Sequence, residues 1–381
     1  MKKMKNATPR KPHIVFYFSD TGGGHRSAAE AIIEAVHIEY KNRVTTEMVD
    51  FFKDYAPVPF NRSQDLYSEM VLKAPRLWSA GFYATDGRAR ARFITATMWP
   101  LARKSARALV RNHPADLMVA VHLAANTFGL KALGRDRPPF ITVVTDMVTT
   151  HALWFDKRAD LILVPTDSAR QRALKYNMPS EKVRVVGLPV ADHYCKPLGR
   201  KSTLRKKLGW PKDKPIILMV GGGEGMGPLA KTARAVDESG LDVGLVIICG
   251  RNQRLKTTLE SEKWENPVFI YGFTHDMPDF MRAADFIVTK AGPGTIAEAL
   301  IAELPIILYS KVSGQEDGNV TFVEEEGAGV WAPKPQDVIR ALTRWISRPA
   351  ERKKVIENCR RAGRPEAART IARTIGKMLN L

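Results

Sequence analysis

Three places in the chain run from a β-rich stretch through a cluster of glycines into a helical pattern, and this repeated order constrains the fold more than any other feature. HIVFYFS (residues 13–19) breaks at DTGGG and resumes over 25–40, where Ala28, Ile32, Ala35, Val36 and Ile38 are expected to give one apolar helical face. PIILMV (215–220) breaks at GGGEGMG, and FIVT (286–289) breaks at KAGPGT before IAEAL. A strand that enters a helix through glycine is the βα unit of a parallel sheet, and such sheets bind ligands beyond the C-terminal ends of their strands. Two separated series within 381 residues predict two doubly wound α/β domains.

Further strands are expected at 44–51, 117–121, 140–145, 161–165 and 183–187 in the first half, and at 243–249, 268–271 and 305–308 in the second. Residues 187–200, opening with GLPV and rich in Lys, Pro and Gly, read as an interdomain linker. The tail from 335 onward reads as short helices, with Pro335 and Pro349 in first turns. The expected division is an N-terminal domain over 1–190, a C-terminal domain over 191–360, and a final helix over 361–381 that packs back on the first domain.

A net charge of +19 speaks to partners rather than fold. No nucleic-acid-binding motif accompanies it. The charge concentrates where the α/β rhythm is lost: over 71–111, Asp86 is the one acid among nine Lys and Arg, interleaved with Trp78, Phe82, Tyr83, Phe93 and Trp99. Each Lys or Arg close to an anionic bilayer adds on the order of 1 kcal/mol of attraction, and aromatic rings suit the interface. No apolar run reaches transmembrane length. The expected location is therefore peripheral, on the cytoplasmic face of the cell membrane. Cys195, Cys249 and Cys359 have no metal-ligand spacing and are expected as reduced thiols.

The turns carry chemistry. In KAGPGTIAEAL, Gly292 and Gly294 are free to take conformations forbidden to other residues and to bring backbone N–H groups close to a ligand. The first helical turn then seats phosphate. Glu298 lies one turn further and can accept hydrogen bonds from paired ribose hydroxyls. His25, at the start of its helix, is disfavoured as a cation, and a neutral imidazole can take a proton. The loop Gly314–Asn319 (GQEDGN) gathers amide and carboxylate groups suited to sugar hydroxyls.

Together TGGGHRSAAEAI, GLPV, LMVGGGEGMGP, KAGPGTIAEAL, LPIIL and GQEDGN resemble the monogalactosyldiacylglycerol synthase branch of glycosyltransferase family 28. The resemblance implies a GT-B fold, two Rossmann-like domains facing a cleft, and an inverting transfer of galactose or glucose from a UDP-sugar to diacylglycerol. A polyprenyl-linked or cell-wall acceptor is the alternative. It implies His25 as the base. It places Gly294 and Thr295 at the diphosphate, Glu298 at the ribose, Gln315 and Glu316 at the hexose, Gly222, Gly223 and Glu224 along the donor side, and Phe273 near the uracil. Gly24, and Asp146, His151 and Trp154 of VVTDMVTTHALWF, fall on the acceptor side. No D-x-D pair occurs to hold a metal on the diphosphate, so no metal or other cofactor is expected.

Overall fold

In the computed structural model, residues 10–20, 23–56, 61, 70, 71, 73–134, 136–197, 199–223, 225 and 227–381 are described. Six strands, β1 (His13–Phe18), β2 (Thr45–Asp50), β3 (Leu117–Ala120), β4 (Phe140–Val143), β5 (Leu161–Val164) and β6 (Val183–Val185), form a parallel sheet in the order β2-β1-β3-β4-β5-β6. A second parallel sheet contains β7 (Ile216–Val220), β8 (Gly244–Ile248), β9 (Val268–Tyr271), β10 (Phe286–Lys290), β11 (Ile306–Ser310) and β12 (Gly329–Trp331), in the order β12-β11-β10-β7-β8-β9. The central strands are apolar along their whole length because helices cover both faces of each sheet; Ile14, Val15, Phe16 and Tyr17 are all fully buried. The edge strand β12 was not anticipated, being three residues long and too short to show a period.

The strand orders fix where ligands can reach. In the first sheet the order reverses between β1 and β3, and in the second between β7 and β10. A crevice opens at each such switch, beyond the strand C-termini. The glycine turn after β1 lies at the first crevice, and the turns after β7 and β10 flank the second.

The first part of the connection between the sheets is packed, whereas residues 196, 197, 199 and 200 are exposed. Leu188 and Val190 are buried in the core beneath the second sheet, while Val186 and Ala191 pack on the first. Gly187 adopts φ +91°, and a Cβ there would lie 2.5 Å from Cβ of Arg364 and 3.0 Å from that of Ala367. Gly187→Ala combines backbone strain with a clash, so it is expected to cost about 2 to 4 kcal/mol, read as a drop in the denaturation midpoint.

The last helix, Ala367–Met378, lies against helix Gly24–Tyr40 and places Ala368, Ile371, Ala372 and Ile375 in the core of the N-terminal sheet. Arg369 and Arg373 tie it to Glu39, and Arg369 also to Asp192. Pro335 and Pro349 each open a helix. The three cysteines are free thiols, and burial pushes the pKa of Cys195 and Cys249 up to about 11 and that of Cys359 to about 12.

The basic aromatic segment divides between surface and interior. It forms helices Pro75–Thr85 and Arg88–Asn112. Leu77, Phe93 and Leu101 are 66%, 70% and 60% exposed, and Tyr83 is also exposed. Phe82 is buried, and Trp99 lies partly buried with the Lys131 ammonium 4.9 Å from its ring centre. Among the described residues no helix is long and apolar enough to cross a membrane.

Candidate functional site

The crevice of the first sheet holds a pair of histidines. His25 stands in the first turn of helix Gly24–Tyr40, entered through Gly23 in the left-handed region (φ 77°). Its Nδ1 is 2.7 Å from Thr145 Oγ1. The ring meets His122 edge-on, with centres 4.7 Å apart, and lies 6.1 Å from the ring of Trp154. Burial lowers the His25 pKa to about 4 and holds His122 well below the usual imidazole range. Both rings are therefore neutral at pH 7. His122 and Thr145 were not anticipated. His122 follows the end of β3, across the strand switch from β1, so only the strand order could have singled it out.

Around this pair sits the loop after β4. Trp154 is fully buried, and its Nε1 donates to Asp146 Oδ2 at 2.6 Å. Burial raises the Asp146 pKa. His151 is buried and both its nitrogens are engaged: Nδ1 accepts from the backbone N–H of Leu153, and Nε2 lies 3.2 Å from Thr85 Oγ1. It caps a single turn, Ala152–Trp154. Asp86 braces the same turn. It accepts from the N–H of Ala152 and the hydroxyl of Tyr176, and pairs with Arg172. Gly24 is exposed, with open space where a side chain would stand.

At the second crevice three elements converge. Gly222 (φ 73°) turns the chain after β7. The N–H of Gly225 closes that turn on the carbonyl of Gly222. Gly223 lies beside Arg251, whose guanidinium sits 5.0 Å from the centre of the Phe273 ring. Phe273 is 55% exposed, and the ring of His275 meets it in a T-shaped contact with centres 5.4 Å apart. Glu224 lies outside the described residues.

Helix Pro293–Ile301 begins at this point, and its first intrahelical bond runs from Ile296 N to Gly292 O. The N–H groups of Gly294 and Thr295 therefore precede the ladder and face out of the helix end. Gly292 has φ −70°, and Gly294 is helical. Neither needs glycine for its backbone, contrary to expectation. What Gly294 supplies is room, since nothing lies within 4 Å of its absent Cβ. Glu298, one turn on, is half-buried, and no donor reaches its carboxylate among the described residues. Burial pushes its pKa up to about 7.

The loop Gly314–Asn319 joins the two crevices. Gln315 Nε2 donates to Asp146 Oδ1 (3.2 Å), Gly318 N to Thr149 Oγ1 (2.9 Å), and Tyr83 Oη to Asp317 Oδ2 (2.7 Å). The ring of Phe82 covers Gly314, with ring atoms 3.3 Å from where a Cβ would be. Glu316 is buried and committed on both oxygens, to Lys290 Nζ and to the N–H of Val312. Lys290 was given no role from sequence. Among the described residues no group of three His, Cys, Asp or Glu side chains is placed to hold a metal ion.

The arrangement thus sets a neutral imidazole pair beyond one sheet and a seat for phosphate, with a carboxylate suited to a diol, beyond the other. Residues 25–190 match the family described as monogalactosyldiacylglycerol (MGDG) synthase, and residues 216–370 match the glycosyltransferase family 28 C-terminal domain. A probable chloroplastic monogalactosyldiacylglycerol synthase of Glycine max is 38% identical, over 97% of this chain and 72% of that one. Monogalactosyldiacylglycerol synthase 1 of Arabidopsis thaliana is 37% identical over 94% and 69%. Among solved structures, Acinetobacter baumannii MurG superposes with TM-score 0.59 at 16% identity, covering 96% of this chain and 99% of that one. MnaA of S. aureus, solved with UDP, gives 0.62 at 18% identity, with 97% of each chain covered. These likenesses establish the GT-B fold.

Proposed function

The chain belongs to the monogalactosyldiacylglycerol synthase family of glycosyltransferases, and from that premise we propose that it transfers galactose from UDP-galactose to the free hydroxyl of 1,2-diacylglycerol with inversion at the anomeric carbon. The observation that carries this reading is the pairing of two strand-switch crevices through the 314–319 loop, one lined by His25 and the other by the glycine turns and helix Pro293–Ile301.

The donor enters the C-terminal crevice. Uracil stacks on Phe273, the ribose hydroxyls donate to Glu298, and the diphosphate oxygens accept from the N–H groups of Gly294 and Thr295 along the helix dipole. Gln315 faces the hexose. When Nδ1–H of His25 donates to Thr145, Nε2 carries the lone pair, and it takes the proton of the acceptor hydroxyl. The oxygen attacks C1 as the bond from C1 to the β-phosphate oxygen breaks and its electron pair leaves with UDP. A pKa near 4 makes His25 a weak base in the empty protein. The negative charge of the bound donor raises it, which couples proton removal to donor binding. The missing D-x-D pair supports metal-independent chemistry.

The exposed Leu77, Phe93 and Leu101 among Arg and Lys suit an anionic bilayer, where diacylglycerol resides, and support a peripheral location at the cytoplasmic face of the membrane. One assay tests these points together. Diacylglycerol vesicles with and without anionic phospholipid are incubated with labelled UDP-galactose or UDP-glucose. A monogalactosyl lipid should form fastest on anionic vesicles and at the same rate in EDTA. Label entering only polyprenyl-linked acceptors, or a rate restored only by magnesium after EDTA, would contradict the reading.

A further inference from the structure

We propose that Lys290 is a catalytic residue of the transfer, its ammonium supplying the countercharge on which the nucleoside diphosphate departs, and that Glu316 is the positioning residue that aims it. This rests on the reading of the C-terminal crevice as the donor site.

Lys290 is the last residue of β10, at the switch between β7 and β10. The register with β11 shifts between Thr289 and Lys290, an irregularity of the kind that re-aims a side chain. Its side chain then passes over both glycine turns. Cε lies 3.2 Å from where a Cβ of Gly222 would be, and Nζ lies 3.0 Å from where a Cβ of Gly292 would be. The backbone at Gly292 (φ −70°) permits any residue. A side chain there would crowd the ammonium, which gives a reason for glycine that backbone conformation does not.

Glu316 fixes the ammonium. Its Oε1 is 2.5 Å from Nζ, and its Oε2 is held by the N–H of Val312, so the carboxylate cannot follow the lysine outward. The ammonium has three donors, and this ion pair occupies one of them. Charge balance gives the lysine its task. Breaking the bond to C1 places a further negative charge on a diphosphate already anionic, whereas a helix N-terminus offers about half a positive charge. Lys290 adds a full unit, on a side chain only 19% exposed, where water screens it little.

The test compares Lys290→Met, Lys290→Arg and Glu316→Gln, with Lys290→Met plus Glu316→Gln in case the single methionine variant leaves a buried carboxylate that prevents folding. Binding of UDP and of uridine is measured by calorimetry, and turnover with UDP-galactose and diacylglycerol by labelled product. Lys290→Met should weaken UDP about tenfold or more, leave uridine within about twofold, and lower kcat about 10²- to 10³-fold. The double variant should discriminate against UDP in the same way. Lys290→Arg should recover much of the UDP affinity, and Glu316→Gln should retain UDP binding while kcat falls about tenfold, because the charge remains but is no longer aimed. Equal losses for UDP and uridine would show a merely structural lysine and overturn the proposal. So would UDP affinity and kcat within about threefold of wild type. Because UDP and uridine binding requires no turnover, wild-type protein that never glycosylates diacylglycerol would sink the proposed function, while the binding comparison still decides whether Lys290 meets the diphosphate.

Discussion

His25→Ala is expected to lower kcat about 10²- to 10⁴-fold while UDP binds within about twofold of wild type. The histidine belongs to the N-terminal crevice, where it meets Thr145, His122, Trp154 and the backbone of Val121. Removing it deletes the proton acceptor and leaves the donor seat intact. Calorimetry with UDP and a labelled-product assay on the same preparation separate the two effects. A variant that keeps its rate within a few-fold, or that loses UDP instead, would move the base elsewhere.

Glu298→Ala is expected to do the opposite, weakening UDP and uridine alike by about 10- to 100-fold, because a carboxylate accepting two hydroxyls makes two charge-assisted hydrogen bonds. The effect carries a pH signature. With a pKa near 7 in the free protein, Glu298 must lose its proton before it can accept both hydroxyls. Wild-type affinity for uridine, which lacks the terminal phosphate that titrates at about pH 6, should therefore fall as pH drops from 8 through 7 to 6, and Glu298→Gln should show no such dependence in that window. Stability of the empty protein follows from the same shift. The folded pKa lies above the ordinary carboxyl value, so the contribution from this group is present at acid pH and is lost as pH rises through 7. Glu298→Gln should accordingly raise the melting temperature of the empty protein at pH 8. An affinity for uridine that is flat between pH 6 and 8 in the wild type would remove Glu298 from the ribose.

The sheets were legible because a strand buried on both faces leaves a continuous apolar run, as IILMV in β7 and FIVT in β10 do. Their order was not, because strand order depends on which crossover packs where. His122 became visible only once β3 was seen beside β1. Composition also could not separate Phe82 from Phe93, eleven residues apart in one basic segment. One covers Gly314 across the cleft, and the other faces solvent. His151 and His25 looked comparable as sequence, each near a polar turn. They differ because Thr85, 66 residues away, and the N–H of Leu153 occupy the nitrogens of His151. Lys290 is not distinguished by its sequence, because its partner Glu316 is 26 residues distant and only the fold brings the two together.

The anomeric configuration of the lipid formed from UDP-galactose and diacylglycerol, read from the proton NMR coupling at C1 of the new glycoside, tests the account most directly. A single displacement driven by His25 from across the cleft predicts one β-galactosyl residue on the free hydroxyl of diacylglycerol. An α-galactoside, or no lipid-linked galactose at all, would contradict it.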